Sequence, residues 1–234
     1  MYLPTAHNSE ELLSSLRDID ISVPLRSEGR LTDDVERWVV CRLLSTLATS
    51  NELPYPISLI KRERPDFQLT LGTVLAGIEV TEATSRNYAA FSALAEREFP
   101  DALLEPSHFR WGAPELSTKE MRELLKQSQL SGTPWAGDAP EREWALYMES
   151  VVNAKHAKLA KAGFQQYQFN WLSIYDNIPG VIVKLEKAVR FLAEKLEAIW
   201  QSTPMFDALY IESGRTIVRI KPEGIEFWPL QDLW

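Results

Sequence analysis

Two short stretches decide the fold of this chain. They are RPDFQL at residues 64–69 and, after an intervening segment with a glycine, GIEVTEA at residues 77–83. Side chains alternate between the two faces of a strand, so Ile78 and Val80 are expected on one face and Glu79 on the other. We therefore predict two neighbouring antiparallel strands that form a β-hairpin, with a carboxylate inside the second strand.

The hairpin brings two carboxylates together. A register that places Asp66 opposite Thr81 makes Asp66 and Glu79 diagonal neighbours, with Cα atoms roughly 7–8 Å apart. One divalent cation can bridge such a pair, and Mg²⁺ in proteins takes carboxylate oxygens and water as ligands. In the alternative interpretation, Asp66 only shapes a turn after Pro65, and Glu79 is a solvated residue of an edge strand.

The remaining sequence reads as alternating helices and strands around this hairpin. Gly72 and Gly77 bracket the hairpin connection and suit its turn. Helices are expected near residues 32–47, 88–99, 141–162 and 181–200, and further strands near residues 57–60, 169–175, 209–212 and 216–220. This alternation predicts an α/β domain with a mixed central β-sheet flanked by helices.

The order helix, strand, strand with Asp66 and strand with Glu79 resembles the PD-(D/E)XK nuclease-like superfamily. The signature of that superfamily is an Asp at the start of one strand, followed on the next strand by Glu or Asp, any residue, and Lys. This chain has Pro65 before Asp66, and it has Thr81 where the signature has the lysine. The resemblance covers residues 33 to 175 as an order of elements and the two short strands as a motif.

The resemblance implies a restriction-endonuclease-like core and a nuclease that hydrolyses phosphodiester bonds in DNA. It implies that Asp66 and Glu79 are catalytic and hold Mg²⁺ or Mn²⁺. It also implies a third acidic metal ligand on the preceding helix, and Glu36 is the matching position. The alternative for Glu36 is a stabilising interaction with the helix dipole in the first helical turn.

The helix at residues 141–162 offers two replacements for the missing lysine. Its apolar stripe of Trp144, Met148 and Val151 continues at helical spacing into Lys155 and Lys158. The two lysines are neighbours on the helix surface, so both amines can project towards the carboxylates. Some nuclease-like families carry the catalytic lysine on a nearby helix, which makes Lys155 or Lys158 the predicted catalytic lysine. Alternatively, both lysines lay aliphatic stems along the core and expose their amines.

Composition fits one cytoplasmic domain. The chain has 234 residues, 45% of them hydrophobic, and no apolar run of membrane-spanning length. We expect a single domain over residues 1–234, with the Pro-, Ser- and Gly-rich residues 100–140 as an insertion or lid. Phosphate-loop, dinucleotide-binding, Cys-x-x-Cys and Gly-x-Ser-x-Gly motifs are absent from the sequence. The single cysteine, Cys41, is expected to be buried in a helix.

The formal net charge of −8 argues against a protein that coats nucleic acid, because such proteins need clustered basic residues. It does not exclude a nuclease, since the basic run at residues 61–64 and Lys161 can border a site. Thr81 and the acidic charge favour the second hypothesis, a catalytically inactive nuclease-like fold that acts as a binding or assembly module. A homodimer is compatible with either function.

Overall fold

The computed structural model describes residues 2–130, 132, 135–179 and 182–234. The strands are β1 (Tyr2–Ala6), β2 (Ile57–Lys61), β3 (Phe67–Leu71), β4 (Val74–Ala83), β5 (Phe169–Asp176), β6 (Ala208–Ser213), β7 (Thr216–Lys221) and β8 (Gly224–Pro229). The helices are α1 (Ser9–Arg17), α2 (Thr32–Thr49), α3 (Arg86–Glu98), α4 (Thr118–Gln127), α5 (Ala139–Leu159) and α6 (Leu185–Trp200). Within the described residues, no helix is long and apolar enough to cross a membrane.

The strands form one sheet whose spatial order is the same as their order in the chain. Strands β1 to β4 are antiparallel, β4, β5 and β6 are parallel, and β6 to β8 are antiparallel again. The predicted α/β class with a mixed sheet is therefore confirmed. The two edge strands, β1 and β8, were not predicted from the sequence, because most of their side chains are exposed and show no clear apolar alternation.

Helices cover both faces of the sheet. Ile78 and Val80 of β4 belong to the hydrophobic cluster that contains α1 and α2. Leu172 and Ile174 of β5 belong to the cluster that contains α5 and α6. Because side chains alternate along a strand, Glu79 points away from Ile78 and Val80, towards the α5 side of the sheet. The predicted faces of β4 are thus confirmed.

The register of the β3–β4 hairpin differs from the predicted one. Leu71 pairs with Val74, so the connection is the two-residue turn of Gly72 and Thr73. Phe67 pairs with Ile78, and extending this register by one residue places Asp66 opposite Glu79 instead of Thr81. The prediction was wrong by two residues because it assumed a longer turn. The consequence is a closer carboxylate pair, since directly opposed side chains have Cβ atoms roughly 4.5–5.5 Å apart.

Gly77 lies inside β4 and not at the turn. A Cβ atom at this position would be 2.7 Å from Pro65 Cγ and 2.8 Å from Tyr167 Cδ2, closer than packed atoms allow. Gly77→Ala is therefore expected to lower the free energy of unfolding by about 1–3 kcal/mol, because the packing must shift. Urea denaturation followed by circular dichroism measures this loss. Gly224→Ala is the control, since its Cβ would meet no atom within 4 Å, and a loss as large as that for Gly77→Ala would contradict the steric argument.

The described part of residues 100–140 packs against α3. Phe91 and Leu94 of α3 form a separate small cluster with Phe109, Met121 and Leu125. The segment therefore has its own hydrophobic support beside the main sheet. Its assignment as an insertion or lid stays a prediction.

Candidate active site

Asp66 and Glu79 form a buried carboxylate pair. Asp66 directly precedes β3 and is 9% exposed, and Glu79 lies within β4 and is 6% exposed. The Val80 backbone N–H donates a hydrogen bond of 2.7 Å to Asp66 Oδ2, which ties the carboxylate to β4. Strand β4 has β3 and β5 as neighbours, so Glu79 is not a solvated residue of an edge strand.

The surroundings of Asp66 favour its protonated form. Burial raises the pKa of its carboxyl group to about 7, and repulsion from Glu79 and Glu36 contributes to the rise. The Val80 N–H and the Lys155 ammonium act in the opposite direction and stabilise the charged form. Below about pH 7 Asp66 therefore holds a proton that a bound cation would displace.

This pKa makes protein stability depend on pH. The folded-state pKa lies above the ordinary value of 3.8, so stability from this group is complete below pH 3.8 and is lost as pH rises to about 7. The side chain introduced by Asp66→Asn cannot ionise, and its amide oxygen can still accept a hydrogen bond from the Val80 N–H. We expect the variant to match the parent near pH 4 and to be more stable by roughly 2–4 kcal/mol at pH 8.

Urea denaturation of the two proteins across this pH range, without divalent metal, measures the difference. A difference independent of pH would show that Asp66 titrates normally in the folded protein. Asp66→Ala serves as a contrast. It removes the same charge but leaves the buried Val80 N–H without its acceptor, so it should gain less stability than the Asn variant.

Lys155 reaches the carboxylate pair from α5. Its Nζ atom lies 2.6 Å from Glu79 Oε1 and 2.9 Å from the Val80 carbonyl oxygen. The alternative interpretation, in which the Lys155 amine is exposed to solvent, is therefore wrong. Lys158 is exposed, and its side-chain amine has no hydrogen-bond or ion-pair partner among the described residues. Of the two predicted lysines, the structure places Lys155 against the carboxylates and Lys158 near them.

Glu36 faces the same space from α2 but is engaged elsewhere. Its carboxylate forms an ion pair with Lys61 of β2, and Lys61 also lies 3.6 Å from Asp33. Within the described part of the chain, no group of three or more His, Cys, Asp or Glu side chains is arranged to hold a metal ion. The three predicted ligands thus do not form a ready three-carboxylate site, and Lys61 is occupied by acidic partners.

One cavity of about 460 Å³ connects these residues. All five predicted site residues line it: Glu36, Asp66, Glu79, Lys155 and Lys158. Arg64 and Lys161 also line this cavity, which we call the carboxylate cavity. Its volume lies within the range of roughly 300–1,000 Å³ that is usual for ligand pockets. Residues from α2, β4, α5 and the segment before β3 therefore converge on one space.

The donor set fits a divalent cation at the pair. The Asp66 and Glu79 carboxylates and the Val80 carbonyl are the hard oxygen groups that Mg²⁺ and Mn²⁺ prefer. Burial and, after it, repulsion from Glu79 raise the pKa of Asp66, and a cation at this position would relieve that repulsion. The Lys155 ammonium, itself a cation, already contacts Glu79 and the Val80 carbonyl. Asp66 and Glu79 are therefore the residues that would hold a metal.

Two arginines that were not predicted as site residues line a cavity next to this site. Arg26 and Arg30 precede α2 in a segment whose sequence indicates only a turn. Their spacing of four residues is the one sequence signal that could have identified them as a pair. Both face Glu82, with nitrogen to oxygen distances of 2.5 Å and 3.8 Å. Asn177 also donates to Glu82, at 2.6 Å. Glu82 is thus held by Arg26, Arg30 and Asn177, and it does not line the carboxylate cavity.

Comparisons with protein-family models, with curated proteins and with solved structures gave no match for this chain.

Proposed function

We propose that this chain is a metal-dependent nuclease with a restriction-endonuclease-like core that hydrolyses phosphodiester bonds in DNA. The observation that carries the proposal is the contact of Lys155 Nζ with Glu79 Oε1 beside Asp66. Lys155 supplies from α5 the amine that β4 lacks, because Thr81 stands in β4 where the motif has its lysine. Three separate elements thus contribute the two carboxylates and the amine to one cavity.

Each group has a role in this proposal. Mg²⁺ or Mn²⁺, held by Asp66 and Glu79, would lower the pKa of a bound water and neutralise charge on the scissile phosphate. Asp66 must lose its proton to hold the cation, so metal affinity is expected to rise with pH up to about 7. Lys155 donates hydrogen bonds to the phosphate oxygens or orients the attacking water. Thr81 can only hydrogen-bond.

A second candidate function is a catalytically inactive nuclease-like fold that serves as a binding or assembly module. The specific observation in its favour is that the polar groups of the site already satisfy one another. Lys155 neutralises Glu79 and donates to the Val80 carbonyl, while Asp66 accepts from the Val80 N–H. Lys61 likewise neutralises Glu36. A site of this kind is stable without a metal.

Cleavage of supercoiled plasmid and of single-stranded DNA by the purified protein separates the two functions. If the protein is a nuclease, it should cleave DNA with Mg²⁺ or Mn²⁺ and should not cleave it in the presence of EDTA. Thermal denaturation at pH 6 and pH 8, with and without Mn²⁺, measures metal binding independently, and the stabilisation should be larger at pH 8. A folded protein that neither cleaves DNA nor gains stability with metal would support the inactive module.

A further inference from the structure

Three cavities are neighbours on the surface because they share lining residues, and we call the three together the trough. The carboxylate cavity shares Thr32, Glu36 and Lys155 with a second cavity of about 310 Å³. That second cavity shares Arg26 and Arg30 with a third cavity of about 630 Å³. We call the second the arginine cavity and the third the aromatic cavity. A ligand can therefore extend from the carboxylate pair, past the two arginines, into the aromatic cavity.

The arginine cavity suits an anion. Among the described residues that line it, three are basic and two are acidic. Arg26 is paired at 2.5 Å with Glu82, whereas the Arg30 guanidinium lies 3.8 Å from Glu82 and has no closer acidic partner in the described residues. Arg30 thus keeps unused donors towards the cavity. A guanidinium in this state favours a phosphate group.

The aromatic cavity suits an uncharged ring. Three basic and three acidic side chains line it within the described part of the chain, so their charges balance. Trp38, Tyr175 and Trp234 contribute aromatic surface. Trp38 packs edge to face with Tyr175 at 4.7 Å, and the Arg42 guanidinium covers its ring at 4.4 Å. The surface of Trp38 is thus largely used by these protein contacts.

Trp234 is the aromatic side chain that remains available. It is 40% exposed, and its Nε1–H donates a hydrogen bond of 2.9 Å to the Ile19 carbonyl. This bond fixes the indole ring at the wall of the aromatic cavity. A ring that is both exposed and held in place can stack on a flat ligand with little loss of side-chain entropy.

We propose that this trough binds a single-stranded segment of DNA next to the bond that is cut. One phosphate lies at Arg30 and Arg26, and the adjoining base stacks on Trp234. A base inside a duplex cannot offer its face, because neighbouring bases cover it, so the segment must be unpaired. The inference rests on the proposed nuclease function for the identity of the ligand, and it restricts the substrate to DNA with a single-stranded part.

The test measures binding without cleavage. Fluorescence anisotropy follows a labelled short oligothymidylate and a blunt duplex of equal length, in EDTA and low salt, with Asp66→Asn as the starting protein. The single strand is expected to bind more tightly than the duplex. Adding Trp234→Leu or Arg30→Gln should weaken single-strand binding, the Trp change by roughly 5- to 100-fold, the range expected for one stacked base.

Matched controls separate this effect from general damage. Trp111 is also 40% exposed but faces a different cavity, and Arg86 is an exposed arginine outside the trough. Trp111→Leu and Arg86→Gln should leave binding unchanged, while Trp234→Phe should retain most of the affinity because a ring remains. Circular dichroism confirms that each variant is folded.

Equal binding of strand and duplex, no binding of the strand, or equal effects of Trp234→Leu and Trp111→Leu would each overturn the inference. These outcomes leave the proposed nuclease function open, because that function is judged by metal-dependent cleavage by the parent protein. If the parent protein does not cleave DNA but binds the single strand in a manner that depends on Trp234, the single-strand binding site is supported and the nuclease function is not.

Discussion

Asp66→Asn and Glu79→Gln are each expected to lower metal-dependent DNA cleavage by at least about a thousandfold, because loss of several kcal/mol of metal stabilisation corresponds to that factor. Both substitutions keep the side-chain shape and remove one charge from the pair. Asn can still accept the hydrogen bond from Val80 N–H, and Gln can still accept from Lys155. The folded structure should therefore survive while the metal site is lost.

Plasmid cleavage at saturating Mg²⁺ or Mn²⁺ measures this effect, and the thermal shift with Mn²⁺ measures metal binding. Glu143→Gln is the control. Glu143 is also a largely buried carboxylate in an ion pair, with Arg110, but it lies near the start of α5, away from Lys155. If Asp66→Asn cleaves DNA as fast as Glu143→Gln, Asp66 is no metal ligand and its role is limited to the hydrogen bond with Val80.

Lys155→Ala is expected to reduce cleavage by about 100- to 1,000-fold, the usual loss when one charged donor in a transition-state site is removed. Lys158→Ala should have a much smaller effect, since its exposed amine lies at the cavity without a partner among the described residues. The two lysines are close on the same helix, so they form a matched pair. Rates at saturating metal and DNA separate this chemical effect from weaker binding.

Metal binding distinguishes a catalytic Lys155 from a structural one. Its ammonium occupies oxygen atoms of Glu79 and Val80 that a metal could use. Removing the ammonium should therefore leave the Mn²⁺ thermal shift unchanged or increase it, although cleavage is lost. A variant that loses both cleavage and the metal-induced shift would show that Lys155 maintains the shape of the site.

Local patterns in the sequence were sufficient for the main elements of the site. The alternation of Ile78, Glu79 and Val80 predicted the faces of β4, because side-chain direction in a strand depends only on position. The stripe that starts at Trp144 offered both Lys155 and Lys158 as candidates, because helical spacing places them on neighbouring positions of one face. The prediction for β4 succeeded since periodicity is a local property of the chain, whereas the choice between the two lysines needed the structure.

Tertiary structure decided the quantities that depend on distant residues. The close approach of Tyr167 to Gly77 comes from a residue far along the chain. The raised pKa of Asp66 requires burial and neighbours from β4, α2 and α5 together.

The sequence by itself thus determined most of the helices and the inner strands, the two faces of β4, and the chemical identity of the carboxylates and lysines. Only the tertiary structure paired Lys155 with Glu79, engaged Glu36 with Lys61, and placed Trp234 and Arg30 on the lining of one cavity. The physical reason is that ion pairs, burial and cavities arise from contacts between segments far apart in the chain, which local periodicity does not encode.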